Sequence, residues 1–166
     1  SRDDEAWSLG EDDNAVIAIR RGGLAVDVNQ AQWLAWAANE AEVTDFQLET
    51  DIALADSSIA GEAGIVFRLQ DSDNFYFAAI DNTGRYSLWK KAGGEWQALI
   101  AWSKSDALDT GDGAQNTLGV LAEGSELALL INEQAVATVS DDSFAAGSLA
   151  LAVGTFEDPG VSAAFD

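Results

Sequence analysis

Apolar side chains in this chain alternate with a period of two, and that alternation confines it to sheet. In the run from Val43 to Leu54, Phe46, Leu48, Ile52 and Leu54 share one face, while Asp45, Gln47, Glu49 and Asp51 share the other. This is the pattern of a half-buried strand with a wet outer surface. Runs of the same kind recur at 15–20, 24–28, 32–37, 64–69, 75–80, 85–90, 95–102, 117–122, 126–131, 135–139, 148–153 and 161–165. Between them stand residues that tolerate tight or left-handed backbone, as in Arg21–Gly22–Gly23, Asp81–Asn82–Thr83–Gly84, Ala92–Gly93–Gly94, Asn132–Glu133–Gln134 and Asp158–Pro159–Gly160. About a dozen short strands suit a two-sheet antiparallel β-sandwich of jelly-roll type better than a seven-stranded immunoglobulin sandwich. Residues 31–42 hold good helix formers, yet Trp33, Leu34 and Trp36 fit a strand equally well. No linker, repeat or low-complexity tract divides the chain, so residues 1–166 read as one all-β domain.

Charge narrows the partners. Eight Lys and Arg face 29 Asp and Glu, giving a net charge of -21. A field of that sign repels phosphate backbones and anionic lipid, so nucleic acid is excluded as a partner. No apolar stretch approaches the roughly 18 residues of a membrane-spanning helix, and direct membrane insertion is not expected. The acidity has two readings, solubility in a salty medium and divalent-cation binding. The opening Ser1–Arg2–Asp3–Asp4–Glu5 is charged from the first residue, as in a domain excised from a longer protein. The chain has no Cys and no His. Thiol chemistry, disulfides, His-based triads and His-ligated zinc are therefore excluded, and carboxylates, Lys, Tyr, Ser and Thr are left for any acid–base work.

One stretch is distinctive. Gly64–Ile65–Val66–Phe67–Arg68–Leu69–Gln70–Asp71–Ser72–Asp73–Asn74–Phe75–Tyr76 is followed by Gly84–Arg85–Tyr86–Ser87–Leu88 and then by Gly94–Glu95–Trp96. It resembles the pattern G-x-x-F-R-x-x-D-x-x-N-[FY]-Y, G-x-Y-x-L, G-x-W of bacterial concanavalin A-like (laminin-G-like) domains, including the group named for 3-keto-disaccharide hydrolases. Downstream, Asn116–Thr117–Leu118–Gly119–Val120 is similar to that family's N-x-L-x-V strand. Leu129–Leu130–Ile131–Asn132–Glu133 is similar to its L-x-V-N-G hairpin, with Glu133 where glycine is usual. Gly147–Ser148–Leu149–Ala150–Leu151 and the closing Phe165–Asp166 match two further elements, with Ala150 in place of a second glycine. The resemblance runs from about Phe46 to Asp166 and implies the sandwich fold. That superfamily hosts lectins, glycosidases, adhesion modules and sensors, so function rests on the site.

Three sets of residues are candidates. Arg68, Asn74, Tyr76, Arg85 and Trp89 fall on adjacent hairpin-connected strands and are the expected ligand-binding set. Alternation places Arg68 opposite Ile65, Phe67 and Leu69. An aromatic platform with a fixed guanidinium would suit a neutral or acidic sugar. Asp71 and Asp73, with Asn74, offer hard oxygens to calcium at a turn, though Asp and Asn also serve turns by bonding local backbone. Asp109 and Asp112 carry the same ambiguity. The resemblance adds Asp166 as a last-strand calcium ligand, and calcium is the one cofactor considered. Glu49 and Asp51 lie two apart on one strand face but lack the third acid of the family's hydrolase motif, and retaining glycosidase chemistry needs two carboxyls about 5–5.5 Å apart. The resulting expectation is a non-catalytic extracellular, cell-surface or periplasmic bacterial module that binds a glycan or other polymer on its concave sheet. The alternatives are a protein-interaction or sensor domain and a carboxylate-based glycosidase.

Overall fold

The computed structural model describes residues 6–166, and the charged opening Ser1–Glu5 lies outside them. The described residues form two antiparallel sheets and no helix. One sheet holds, in spatial order, β1 (Gly10–Glu11), β2 (Ala15–Arg20), β3 (Gly23–Val28), β14 (Val161–Phe165), β5 (Phe46–Leu54), β10 (Gln115–Glu123), β11 (Glu126–Ile131) and β12 (Gln134–Ser140). The other holds β4 (Leu34–Val43), β13 (Gly147–Thr155), β6 (Gly61–Asp71), β7 (Asn74–Asp81), β8 (Arg85–Ala92) and β9 (Glu95–Lys104). The expected two-sheet sandwich is therefore the observed fold.

The sheets close on one apolar layer. Ile65, Phe67, Tyr76, Ile80, Leu88 and Val153 of the six-stranded sheet meet Val26, Ile52, Leu118, Val120, Leu127 and Leu129 of the eight-stranded sheet. β5 alternates as its sequence dictates, with Ile52 and Leu54 buried while Gln47 and Glu49 stay exposed. The ambiguous segment 31–42 is resolved by tertiary pairing. β4 runs as an edge strand beside β13, with Ala37 opposite Leu151 and Ala35 opposite Val153. Its helix formers are overridden because the ladder supplies the backbone partners that a helix would supply internally.

Two features depart from simple alternation. The first is a bulge in β6, where the register with β7 shifts between Phe67 and Asp71 and Arg68 takes φ 49°. A bulge advances the strand by one residue without changing its partner, so the faces swap beyond it. Phe67 and Arg68 are thus both buried, and Leu69 joins the outer face with Val66. The grouping of Leu69 with Ile65 and Phe67 is corrected on this ground. Gly147 of β13 belongs to the same feature, because a Cβ there would come within 2.4 Å of the Arg68 carbonyl carbon. The second feature is that the outer face of the six-stranded sheet is apolar too. Val66, Phe75, Phe77, Ala79, Ala150 and Ala152 are buried there, covered by Leu34, Trp36, Leu69, Trp89 and Trp102. This explains the unbroken apolar run Phe75–Tyr76–Phe77–Ala78–Ala79–Ile80, since a strand buried on both faces does not alternate.

Candidate functional site

The residues singled out from sequence divide between three places. Arg68 is wholly buried at one end of the sandwich. Its Nη1 donates to the carbonyls of Gly124 (2.6 Å) and Phe144 (3.0 Å), and its Nε and Nη2 donate to the carbonyl of Thr44 (3.3 and 3.1 Å). Asp45 stands 3.5 Å from Nη2. The guanidinium fastens three connections together and reaches no outer surface, which removes Arg68 from the expected ligand-binding set. The left-handed bulge is what turns it inward.

Tyr76 is also buried, between Phe67 and Phe144, and its hydroxyl donates to Asp141 at 2.5 Å. Burial, with the Asp141 bond second, pushes its phenol up to about 12. Lys90 donates to the same carboxylate at 2.8 Å. Tyr76 therefore belongs to the inner face and not to a ligand platform. Asn74 is a hairpin residue, whose amide donates to Asp71 (2.9 Å) and accepts from the Gly93 N–H (3.0 Å).

Asp71 accepts from the Asp73 N–H at 2.8 Å, and these local bonds lower its carboxyl. Asp73 lies 3.8 Å from Lys91. Asp166 is on the other sheet, where its backbone pairs with that of Asp51. The three candidate calcium ligands thus fall on two sheets, and the described residues contain no group of three or more acidic side chains arranged to hold a metal ion. Asp112 bonds Ser57, and Asp109 bonds Asn116 through its backbone, so this loop is tied locally as well. Glu49 and Asp51 emerge on the solvent face of the eight-stranded sheet, where Asp51 accepts from the Thr117 hydroxyl.

Arg85 and Trp89 do reach the outer face of the six-stranded sheet, and there they have company. β8 sends Arg85, Ser87, Trp89 and Lys91 outward in alternation, and β9 adds Trp96 and Trp102. Edge-to-face contacts link Trp36 to Phe75 (5.3 Å between centroids), Phe75 to Trp96 (5.4 Å) and Trp96 to Trp89 (6.4 Å), while Trp102 meets Phe156 at 6.2 Å. The Trp89 indole N–H donates to Ser87 at 3.0 Å, which fixes its ring. Trp96 is 47% exposed, a large apolar surface left open to solvent.

Between these rings lie two adjoining depressions of about 270 and 390 Å³. Phe77, Trp89 and Trp102 line the first, Gln32, Trp33, Thr155 and Glu157 line the second, and Glu62, Trp96 and Phe156 line both. Glu62 sits on β6 opposite Asp81 on one side and Gly154 on the other. Its carboxyl crosses the bare backbone of Gly154, where a Cβ would lie 2.6 Å from Oε1. Burial, reinforced by the charge of Asp81, pushes the Glu62 carboxyl up to about 7, and no hydrogen bond from the described residues pulls it back. Asp81 is fully engaged by Thr83 and by Arg85, whose Nη2 stands 2.7 Å away. Glu62 escaped sequence reasoning because it begins its strand beside a turn. The available signal was Glu62 next to the small residues Gly61, Ala63 and Gly64 before an apolar strand.

The described residues thus make a two-sheet antiparallel β-sandwich whose six-stranded sheet carries an aromatic outer face with a carboxyl in its floor. The chain belongs to the 3-keto-α-glucoside-1,2-lyase-like domain family, whose pattern it matches over residues 2–157. Comparison with curated protein sequences returned no match. Among solved structures, the carbohydrate-binding module CBM66 from Bacillus subtilis superposes with a TM-score of 0.75 at 22% identity, covering 97% of this chain and 92% of that one. The Bacillus licheniformis β-glucanase superposes at 0.64 with 10% identity, covering 96% and 87%. A prokaryotic β-1,3-1,4-glucanase derived from a mouse hindgut metagenome gives 0.63 with 12% identity and the same coverage.

Proposed function

We propose that this domain recognises a glycan without cleaving it, using the outer face of the six-stranded sheet. The observation that carries this reading is the depression walled by Trp89, Trp96, Trp102 and Phe156 around the Glu62 carboxyl. Sugar rings present C–H faces that stack on aromatic rings, and a few polar groups then read their hydroxyls. Trp96 is nearly half exposed and belongs to neither apolar cluster, so its ring is an open surface of the kind that marks an interaction site. The family's name and the module from Bacillus subtilis both concern carbohydrate, which supports the class of ligand.

Binding is favoured over hydrolysis by the state of the second carboxyl. Asp81 is the acid paired with Glu62 in the ladder, and it is 5% exposed and consumed by Thr83 and Arg85. A glycosidase needs its second carboxylate free to attack or to activate water. Glu49 and Asp51 are on the opposite side of the sandwich and do not reach the aromatic rings. A glycan ligand and the strong acidity suit work outside the cytoplasm, and no helix among the described residues is long and apolar enough to cross a membrane. The test is a glycan array probed with the wild type and with Trp96→Ala. We expect a defined set of glycans to bind the wild type and to be lost in the variant. Identical profiles for the two proteins would remove the aromatic face from recognition.

A further inference from the structure

We infer that the aromatic groove prefers a cationic saccharide, one bearing a free ammonium group, with Glu62 as its counter-ion. This inference rests on the glycan-recognition reading and narrows it to a chemical class. The first ground is that no described residue partners the Glu62 carboxyl. The described residues give its carboxyl neither a hydrogen bond nor an ion pair, although it lies at the junction of both depressions. A carboxyl in an apolar setting without a donor is costly to ionise, and a ligand cation removes that cost on binding.

The second ground is the charge of the lining. The charged residues lining the two depressions are Glu62 and Glu157, both acidic. Asp81 of β7 lies opposite Glu62 in the ladder and is ion-paired with Arg85 of β8, and Glu157 after β13 lines the second depression with Glu62. The third ground is the walls. Tryptophan faces attract cations through the ring quadrupole. This surface already does so with the chain's own side chains, since the Arg85 guanidinium carbon lies 5.2 Å from the Trp102 centroid and Lys91 Nζ lies 5.5 Å from that of Trp96. Both of those cations are held by aspartates, Asp81 and Asp73, so neither is free to serve Glu62. Aromatic rings around a carboxyl that no described residue pairs suit an ammonium group.

The experiment compares two ligands that differ in the relevant charge. Isothermal titration at pH 7 and 0.15 M NaCl uses the β-1,4 tetramer of glucosamine and the β-1,4 tetramer of glucose, with the wild type and Glu62→Gln. The wild type is expected to bind the glucosamine tetramer about tenfold more tightly than the glucose tetramer. Glu62→Gln, which keeps the shape and removes a strained charge, is expected to bring the two affinities within about twofold. Equal affinities in the wild type would overturn the charge preference and leave glycan recognition standing. A preference that survives in Glu62→Gln would assign it to the overall acidity and overturn the role of Glu62. Absence of heat with either tetramer would also overturn the inference, while the array result decides the broader reading.

Discussion

The carboxyl of Glu62 lies across Gly154, close enough that a Cβ at that position would stand 2.6 Å from Oε1 and 2.8 Å from Cγ. The contact couples two neighbouring strands. Glycine on β13 makes the space, and β6 fills it with an acid that the aromatic residues then surround. The site's chemistry therefore depends on a residue with no side chain.

The Glu62 carboxyl gives folding stability a characteristic pH dependence. Its folded-state value is about 7, above the ordinary carboxyl value of the unfolded chain, so between these two the folded protein holds more protons. Stability from this group is then full below about pH 4.5 and is lost as pH rises through 7, by on the order of 2 kcal/mol once partial solvent exposure is discounted. Chemical denaturation from pH 4.5 to 8 should show that decline in the wild type and a flatter profile in Glu62→Gln. Parallel profiles for the two proteins would contradict the burial argued for Glu62.

Arg68 is a structural residue, and its removal should be expensive. Arg68→Ala leaves the carbonyls of Thr44, Gly124 and Phe144 without their charged donor and opens a cavity beneath three connections. We expect a loss on the order of 3 kcal/mol by urea denaturation. Arg68→Lys should recover only part of it, because one ammonium cannot span three separated acceptors as a planar guanidinium does. A cost below about 1 kcal/mol for the alanine variant would refute the fastening role.

Much of the fold was legible because β-structure records burial as alternation. Thirteen strand runs were readable from period and turn chemistry, and only the two-residue β1 lacked a signal. The site was less legible, for two physical reasons. Alternation cannot reveal a bulge, so Arg68 was assigned to the face it would occupy in a regular strand. The strand Asn74–Asp81 is buried on both faces, so Tyr76 could not be assigned a side from its neighbours. Arg85, Ser87 and Trp89 do share one face of β8, because that strand pairs with β7 in unbroken register.

The hairpin between β11 and β12 carries removable strain. Asn132 and Glu133 are its two turn residues, with φ of 50° and 70°. The Asn132 side-chain oxygen accepts from the Thr117 N–H and its amide donates to the Ala107 carbonyl, whereas Glu133 is exposed. A two-residue turn with both φ positive favours Asn-Gly. Glu133→Gly should raise stability by about 0.5–1 kcal/mol, read as a higher denaturation midpoint. An unchanged or lower midpoint would show that the turn is unstrained.

The charge of -21 should make the fold sensitive to ionic strength. Sodium chloride raised from 10 to 300 mM is expected to raise the melting temperature by screening like-charge repulsion. Calcium chloride at matched ionic strength should do no more, since Asp71, Asp73 and Asp166 are not gathered at one place. A calcium increment beyond sodium, abolished in Asp71→Asn, would restore the metal reading for that turn.

The most direct test of glycan recognition is to see which face responds. The side-chain indole N–H signals of the six tryptophans can be followed by nitrogen–proton correlation spectroscopy during titration with a glycan selected on the array. Binding at the proposed surface should shift Trp89, Trp96 and Trp102 and leave Trp7, which packs on the inner core, unchanged. Trp96→Ala should abolish those shifts at a stability cost below about 1 kcal/mol, because its ring is nearly half exposed. Saturable binding that leaves Trp89, Trp96 and Trp102 unmoved, with shifts among backbone signals around Glu49 and Asp51 instead, would place recognition on the opposite sheet and contradict the account.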